Sequence, residues 1–440
     1  MKRVVFMMLI GLWAACSYGQ DHKPCGTSVL ARRHLGRDIV REARAVQKNP
    51  SPDVVFQGEK RGLIILVSFP NQPFNDDDPK ALWTAIANQK GLDDHKDLVF
   101  QGARGSVSDY FYDQSYGQFK LTFDVVGPVE AKKPYEYYGR NIDWGPPSGE
   151  FDQNDGELVE EACRAVNDSV HFADYDWDGD GEVEQVFILY AGHGENDYWS
   201  KDESVIWPHM GSLTVDWGYK EPVLLQGLRI DTYACSNEIN HKNKPAGMGT
   251  ICHEFGHCLG LPDLYNTEEG SGVVGTYDIM DGGCYNGNCW CPAGYSSYER
   301  YACGWLTPQE VQDAHTVESL EPLYKQPDVR IYRTSPEAND YYLIEYREKA
   351  SWDTYLPMGG LMAWHIDYDK TAWEMNTVNN DPDHLRVERM PLAKVPVGIL
   401  PVSADVSDPD GWYDLQGRRL PGKPSEKGLY IHNGKKESIR

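Results

Sequence analysis

Beyond its first twenty residues this 440-residue chain has no apolar run approaching the ~18 residues of a membrane-spanning helix, so a soluble mature protein is expected. Cations are also short: 42 Lys and Arg stand against 67 Asp and Glu, a formal net charge of −25. Such a surface repels nucleic acid and anionic membranes and suits divalent cations. The cysteine-rich stretch CYNGNCWC (284–291) contains no CxxC pair, which argues against a separate thiolate zinc cluster of Cys284, Cys289, Cys291 and Cys303. Internal repeats and low-complexity tracts are absent, so the fold is built from distinct elements.

The apolar run that does exist is at the start. MKRVVFMMLIGLWAACSYGQ has two cations, an apolar stretch from Val4 to Ala15 and then small residues, the pattern of a secretory signal peptide over 1–19. Secretion to the extracellular space follows; the alternative is a cell-surface or outer-membrane lipoprotein anchored through Cys16. An exported chain with ten cysteines is expected to form disulfides, with an odd nine left if cleavage follows Gly19.

Residues 20–60 form a polar N-terminal segment, either a pro-segment or a strap. RGLIILVSFP (61–70) is continuously apolar and ends at proline, as a strand buried on both faces does. FKLTFDVVGP (119–128) alternates apolar with polar residues and belongs nearer a sheet edge. Leu158, Ala162, Ala165 and Val166 fall on one side of a helix, and VFILY (186–190) is another buried strand. These describe an α/β unit over 61–305. VRIYRT, DYYLIEYRE and GGLMAWHID predict a β-rich unit over 306–394, followed by a linker and a tail of short strands over 395–440.

HEFGHCLGLPD (253–263) carries the chemistry. Residues four apart on a helix share a face, so His253 and His257 point two imidazoles at one ion. Glu254 lies too far round the helix to join them but reaches a water on the metal. Zinc lowers the pKa of such a water from about 15.7 toward 7, and a neighbouring carboxylate takes its proton during attack on a carbonyl. Short HExxH patterns also arise by accident on surface helices, but the following residues oppose that reading. Gly260 suits a left-handed helix cap and Pro262 stops the helix resuming. The turn brings Asp263 beneath the histidines as third ligand; a capping or calcium role is its alternative. A longer geometry would use Glu299 in SYERY instead, which the break at Gly260 and Pro262 opposes. Downstream, GTYDIMDGG (275–283) sets Met280 in a Gly-rich turn, like the methionine turn that lies beneath the metal in metzincins.

At these residues the chain resembles the immune inhibitor A-type secreted bacterial metallopeptidases, a metzincin-like group with HExxHxxGxxD and a methionine turn. The likeness runs from GLIILVSFP through GSVSDYFYDQSYGQFKLTFDVVGPV, DWDGDGEVEQVFILYAGHGE, IWPH and HEFGHCLGLPDLY to GGLMAWHID. It implies an α/β (α+β) metzincin-like zinc peptidase domain with a twisted sheet and an active-site helix, then a smaller β-rich domain and a short tail. His253, His257 and Asp263 would hold zinc, Glu254 would be the general base and Met280 the turn methionine. Many metzincins carry a tyrosine two residues after that methionine; here Gly282 stands there and Tyr285 follows three further on, so no oxyanion-stabilising tyrosine is assigned.

DYDWDGDGEVEQ (174–185) places Asp176, Asp178, Asp180 and Glu184 around Gly181, a pattern for structural calcium, with a solvated acidic turn as the alternative. Phe187 at the twelfth position excludes an EF-hand. His193 and Glu195 either line a cleft or shape their loop, and His209 and His365 fit core or interface positions. Cys25 in HKPCGTS has a thin likeness to a latency cysteine, with a disulfide as the default. YDLQGRRL and GLYIHNGKK resemble sorting tails of the type IX secretion route, which makes secretion machinery an expected partner beside protein or peptide substrates. The functional expectation is a secreted zinc endopeptidase using a zinc-bound water activated by Glu254. Its rival is a non-catalytic surface-binding protein on a zinc- and calcium-stabilised scaffold, which the presence of Glu254 opposes.

Overall fold

The computed structural model describes residues 56–92, 102–143, 150–196, 202–311, 320–333, 339–390 and short pieces of 412–439. The expected signal peptide with Cys16, the segment with Cys25 and the start of the expected linker from 395 lie outside the described residues.

Strand β1 (Gly58–Ser68) is central in a five-stranded sheet, because Leu63 to Val67 are apolar in unbroken succession and need cover on both faces. It pairs in parallel with β2 (Phe119–Glu130) on one side and β3 (Val186–Tyr190) on the other, with Ile64 opposite both Val125 and Phe187. Beyond β3 lie β4 (His209–Ser212) and β5 (Thr232–Asn237), in the sheet order β2-β1-β3-β5-β4. Only β4 runs antiparallel to its neighbour. The alternating β2 does take the sheet edge, with Phe119, Leu121, Phe123 and Val125 buried.

Alternation of side chains divides the apolar residues between two layers. Ile64, Leu66, Phe187 and Leu189 pack with helices α1 (Pro79–Asn88), α2 (Val107–Gln114) and α4 (Gly249–Cys258). Leu63, Ile65, Val67 and Ile188 pack on α3 (Asp155–Val166). The buried stripe of α3 is Leu158, Val159, Ala162, Cys163 and Val166, whereas Ala165 is exposed, contrary to the sequence expectation. At ~100° per residue Ala165 lies about a quarter-turn from the centre of that stripe.

A second five-stranded sheet follows the order of its strands in sequence: β6 (Gln309–Glu310), β7 (Arg330–Arg333), β8 (Asp340–Arg347), β9 (Gly360–Asp367) and β10 (Val387–Met390). Leu343, Trp364 and Ile366 from this sheet share one continuous core with Ile251, Phe255 and Met280. Polar groups reinforce the junction. Glu345 on β8 accepts from Ser297 N (2.6 Å) at the start of α5 (Ser297–Ala302), and Arg347 Nη2 donates to Gly294 O (2.9 Å). Four tail strands within 412–439 form a separate antiparallel sheet.

The disulfide expectation is not met: no two cysteines are bridged among the described residues. Cys163, Cys235, Cys252 and Cys303 are buried like small apolar residues, and burial pushes the Cys163 thiol up to about 12. No helix among the described residues is long and apolar enough to cross a membrane.

Candidate metal centre

Helix α4 is locked before its ligands appear. Met248 N–H and Gly249 N–H both donate to Cys289 O at 2.8 Å, and a Cβ at Gly249 would stand 1.9 Å from Cys284 O, so glycine is required. Phe255 wedges the opposite face among Phe111 and Phe123, with ring centroids 5.2 and 5.5 Å away. Burial of one such ring contributes about 1.5–3 kcal/mol. The helix ends as expected: Gly260 has φ +80°, and Leu261 N–H returns to Gly256 O (3.3 Å).

Each histidine is held by its far nitrogen. His253 Nδ1 donates to Ile279 O (2.7 Å) and His257 Nδ1 to Leu261 O (2.8 Å). A carbonyl only accepts, so these bonds put the ring proton on Nδ1 and turn both Nε2 atoms toward Asp263. Asp263 Oδ1 lies 3.2 Å from His253 Nε2 and 3.4 Å from His257 Nε2. Two ligands ~2.0–2.1 Å from a tetrahedral zinc ion stand about 3.3 Å apart, so the donor set fits zinc in identity and spacing. His253 Nε2 is buried with Asp263 Oδ1 as the acceptor it faces, a gap that a proton or a metal cation can fill. Glu254 is fully buried beside them, its Oε2 4.0 Å from His257 Nε2.

The charges fit this arrangement. Burial alone would raise the Asp263 carboxyl, but the His257 charge and its bonds to both histidines outweigh it and hold it well below the usual range. Burial would lower His253, yet the Asp263 and Glu254 carboxylates raise it to about 9. Glu254 moves upward through burial, against the pull of His253 and His257.

Met280 is fully buried beneath the helix. A Cβ on Gly256 would meet its Sδ at 2.9 Å and Tyr295 Oη at 2.8 Å. Gly256→Ala is therefore expected to cost about 1–3 kcal/mol through overpacking, read as a lowered Tm; an unchanged Tm would show that the turn yields freely. Two carboxylates that the sequence reading passed over fix the methionine turn. Asp278 Oδ1 accepts from Met280 N (2.9 Å), and Asp281 Oδ2 accepts from the N–H groups of Val273, Val274 and Gly275 at 2.7–2.8 Å. An Asp in a Gly-rich turn was the available signal for both.

The other candidates fall elsewhere. Glu299 caps its own helix, accepting from Ser296 N (2.8 Å), and is not among the groups that converge with the histidines. His209 Nε2 lies 2.8 Å from Asp155 Oδ2, and Asp152 is close by. That spacing is a hydrogen bond and shorter than the separation expected across a metal, so a buried ion pair accounts for it. His365 stacks on Tyr342 between Asp340 and Glu388. Buried Glu195 accepts from Asn141 Nδ2 (2.8 Å), and the His193 carbonyl accepts from Tyr135, so both help shape their loop.

In the acidic loop Asp176, Asp178 and Glu184 bring ligand atoms within 4.8 Å of one another. Asp180 stands outside this group, accepting from Glu182 N (2.8 Å) and facing Arg229. Asp176 accepts from the N–H groups of Gly179 and Gly181, and Glu184 accepts from Trp177 N. These bonds order the turn, and calcium there stays an expectation.

Residues 53–306 match the family described as immune inhibitor A peptidase M6, catalytic domain. The chain belongs to this family. The match contains α4, Asp263 and the methionine turn, and it ends before the second sheet. Among relatives, the Pre-pro-metalloprotease PrtV of Vibrio cholerae serotype O1 (strain M66-2) is 29% identical over 278 residues, 55% of this chain and 30% of that protein. Immune inhibitor A of Bacillus thuringiensis subsp. alesti is 24% identical over 280 residues, 55% of this chain and 39% of that protein. A Putative secreted metallopeptidase of Arthroderma benhamiae is 23% identical over 304 residues, 63% of this chain and 42% of that protein. The chain thus spans less than half the length of these relatives.

Proposed function

We propose that this M6 member is a secreted zinc-dependent endopeptidase in which His253, His257 and Asp263 hold the ion and Glu254 is the general base. The observation that carries the reading is the spacing of Asp263 Oδ1 from the two Nε2 atoms, 3.2 and 3.4 Å, with all three groups buried. When bound, zinc supplies Lewis acidity, polarising a peptide carbonyl and acidifying water. The rest falls to the chain. Nδ1 bonds to Ile279 O and Leu261 O keep both imidazoles in the ligating tautomer. Glu254 receives a proton on its carboxylate, and its burial favours the protonated form, which then passes the proton to the leaving amine. We further propose the metzincin-like arrangement, with Met280 as the floor of the site, and a division near residue 305 in which the second sheet shares the peptidase core.

Purified protein freed of the polar segment ahead of Phe56, the residues from Gly58 on being part of strand β1, is expected to cut unfolded casein, to stop when zinc is chelated and to recover on zinc readdition. Full zinc occupancy without cleavage would favour the non-catalytic binding protein.

Zinc binding should also depend on pH in a defined direction. The metal-free His253 carries a proton below about 9, and zinc must displace it. Apparent affinity is therefore expected to rise about tenfold per pH unit from neutrality and to level near that value, read by chelator competition. A flat profile above neutrality would mean that the Asp263 and Glu254 carboxylates do not hold the metal-free His253 in its protonated form.

A further inference from the structure

Asp263 is set in place by a part of the chain beyond the family match. Its N–H donates to Asn376 Oδ1 (2.7 Å), and Asn376 Nδ2 donates back to Asp263 Oδ2 (2.6 Å). This pair of bonds ties Oδ2 and leaves Oδ1 facing His253 and His257. Both residues are buried. Asn376 follows helix α6 (Lys370–Glu374) and has φ +53°, a left-handed conformation that asparagine tolerates and most residues with a Cβ do not.

Neighbouring residues repeat the contact. Thr267 Oγ1 donates to Asn376 O (3.0 Å), and Thr267 N donates to Asn380 Oδ1 (2.8 Å). Asn379 Nδ2 donates both to Leu264 O and to Val387 O at 2.8 Å, which links the clamp to strand β10. Segment 263–267 is thus held by segment 376–380, which hangs between α6 and the second sheet.

We propose that Asn376 is a positioning residue of the metal centre, fixing Asp263 as a ligand through one oxygen, so that the chain after the matched catalytic domain completes the site. The proposal rests on the zinc reading. An amide is suited to the task because it offers one acceptor to the Asp263 N–H and one donor to its carboxylate.

The test uses the full chain with Asn376→Gly, which keeps the left-handed backbone, and Asn376→Asp, which keeps the acceptor and loses the donor. Asn380→Ala serves as a control that loosens the same loop without touching Asp263. Zinc affinity is read by chelator competition, and ligand geometry by the visible spectrum of cobalt-substituted protein. Asn376→Gly is expected to weaken zinc about 10–100-fold and to shift the cobalt bands. Asn376→Asp should be weaker still at neutral pH, where two carboxylates face each other, and Asn380→Ala should stay near wild type. Folded Asn376→Gly with wild-type affinity and spectrum would overturn the proposal; if that variant does not fold, wild-type affinity in Asn376→Asp would do so. Asp263→Ala distinguishes the two levels: if it keeps zinc, the metal reading falls with the clamp. If it loses zinc while the Asn376 variants do not, only the clamp falls.

Discussion

Glu254→Gln is expected to lower kcat/KM for a peptide substrate by about 10²–10⁴-fold, the usual contribution of a general base. Zinc content should not change, because Glu254 lies beside the two imidazoles proposed as ligands and outside the proposed ligand set. The amide fills the same buried space and can neither take nor return the proton. Measuring both quantities on one preparation separates loss of the base from loss of the metal. Activity within a few-fold of wild type would remove Glu254 from the reaction, and loss of zinc would make it a ligand.

Asp263→Ala is expected to have the opposite signature, losing the metal first and activity with it. Its Oδ1 is the point where both histidines converge, and the groups that hold it are buried. Affinity should fall by more than the roughly 10–100-fold that follows loss of a group merely supporting a ligand. The substitution also removes a carboxylate that keeps His253 protonated to about 9, so the metal-free variant should show that imidazole titrating lower. Zinc titration and the His253 NMR titration check the two halves; unchanged zinc would return Asp263 to a capping role.

The parts of this site that sequence reveals are those set by local period. His253 and His257 are one helical turn apart, and Gly260 with φ +80° ends the helix where its residue type predicts. The buried run of β1 and the alternation of β2 were legible for the same reason. What escaped depends on chain brought from far away. No spacing rule links Asn376 to Asp263, and their contact exists only because the second sheet folds against the active helix. Ala165 sits at the margin of its stripe, where a helical pattern decides least. Export and cysteine number suggested bridges, but thiols such as Cys163 and Cys252 are buried as core packing, a choice that composition does not encode.

Zinc K-edge X-ray absorption on the full chain tests the central claim most directly. The account predicts two imidazole nitrogens at about 2.0–2.1 Å and carboxylate oxygen at about 2.0–2.2 Å, with the oxygen contribution reduced in whatever zinc Asp263→Ala retains. A shell dominated by sulfur near 2.3 Å would place the ion among the cysteines and contradict it.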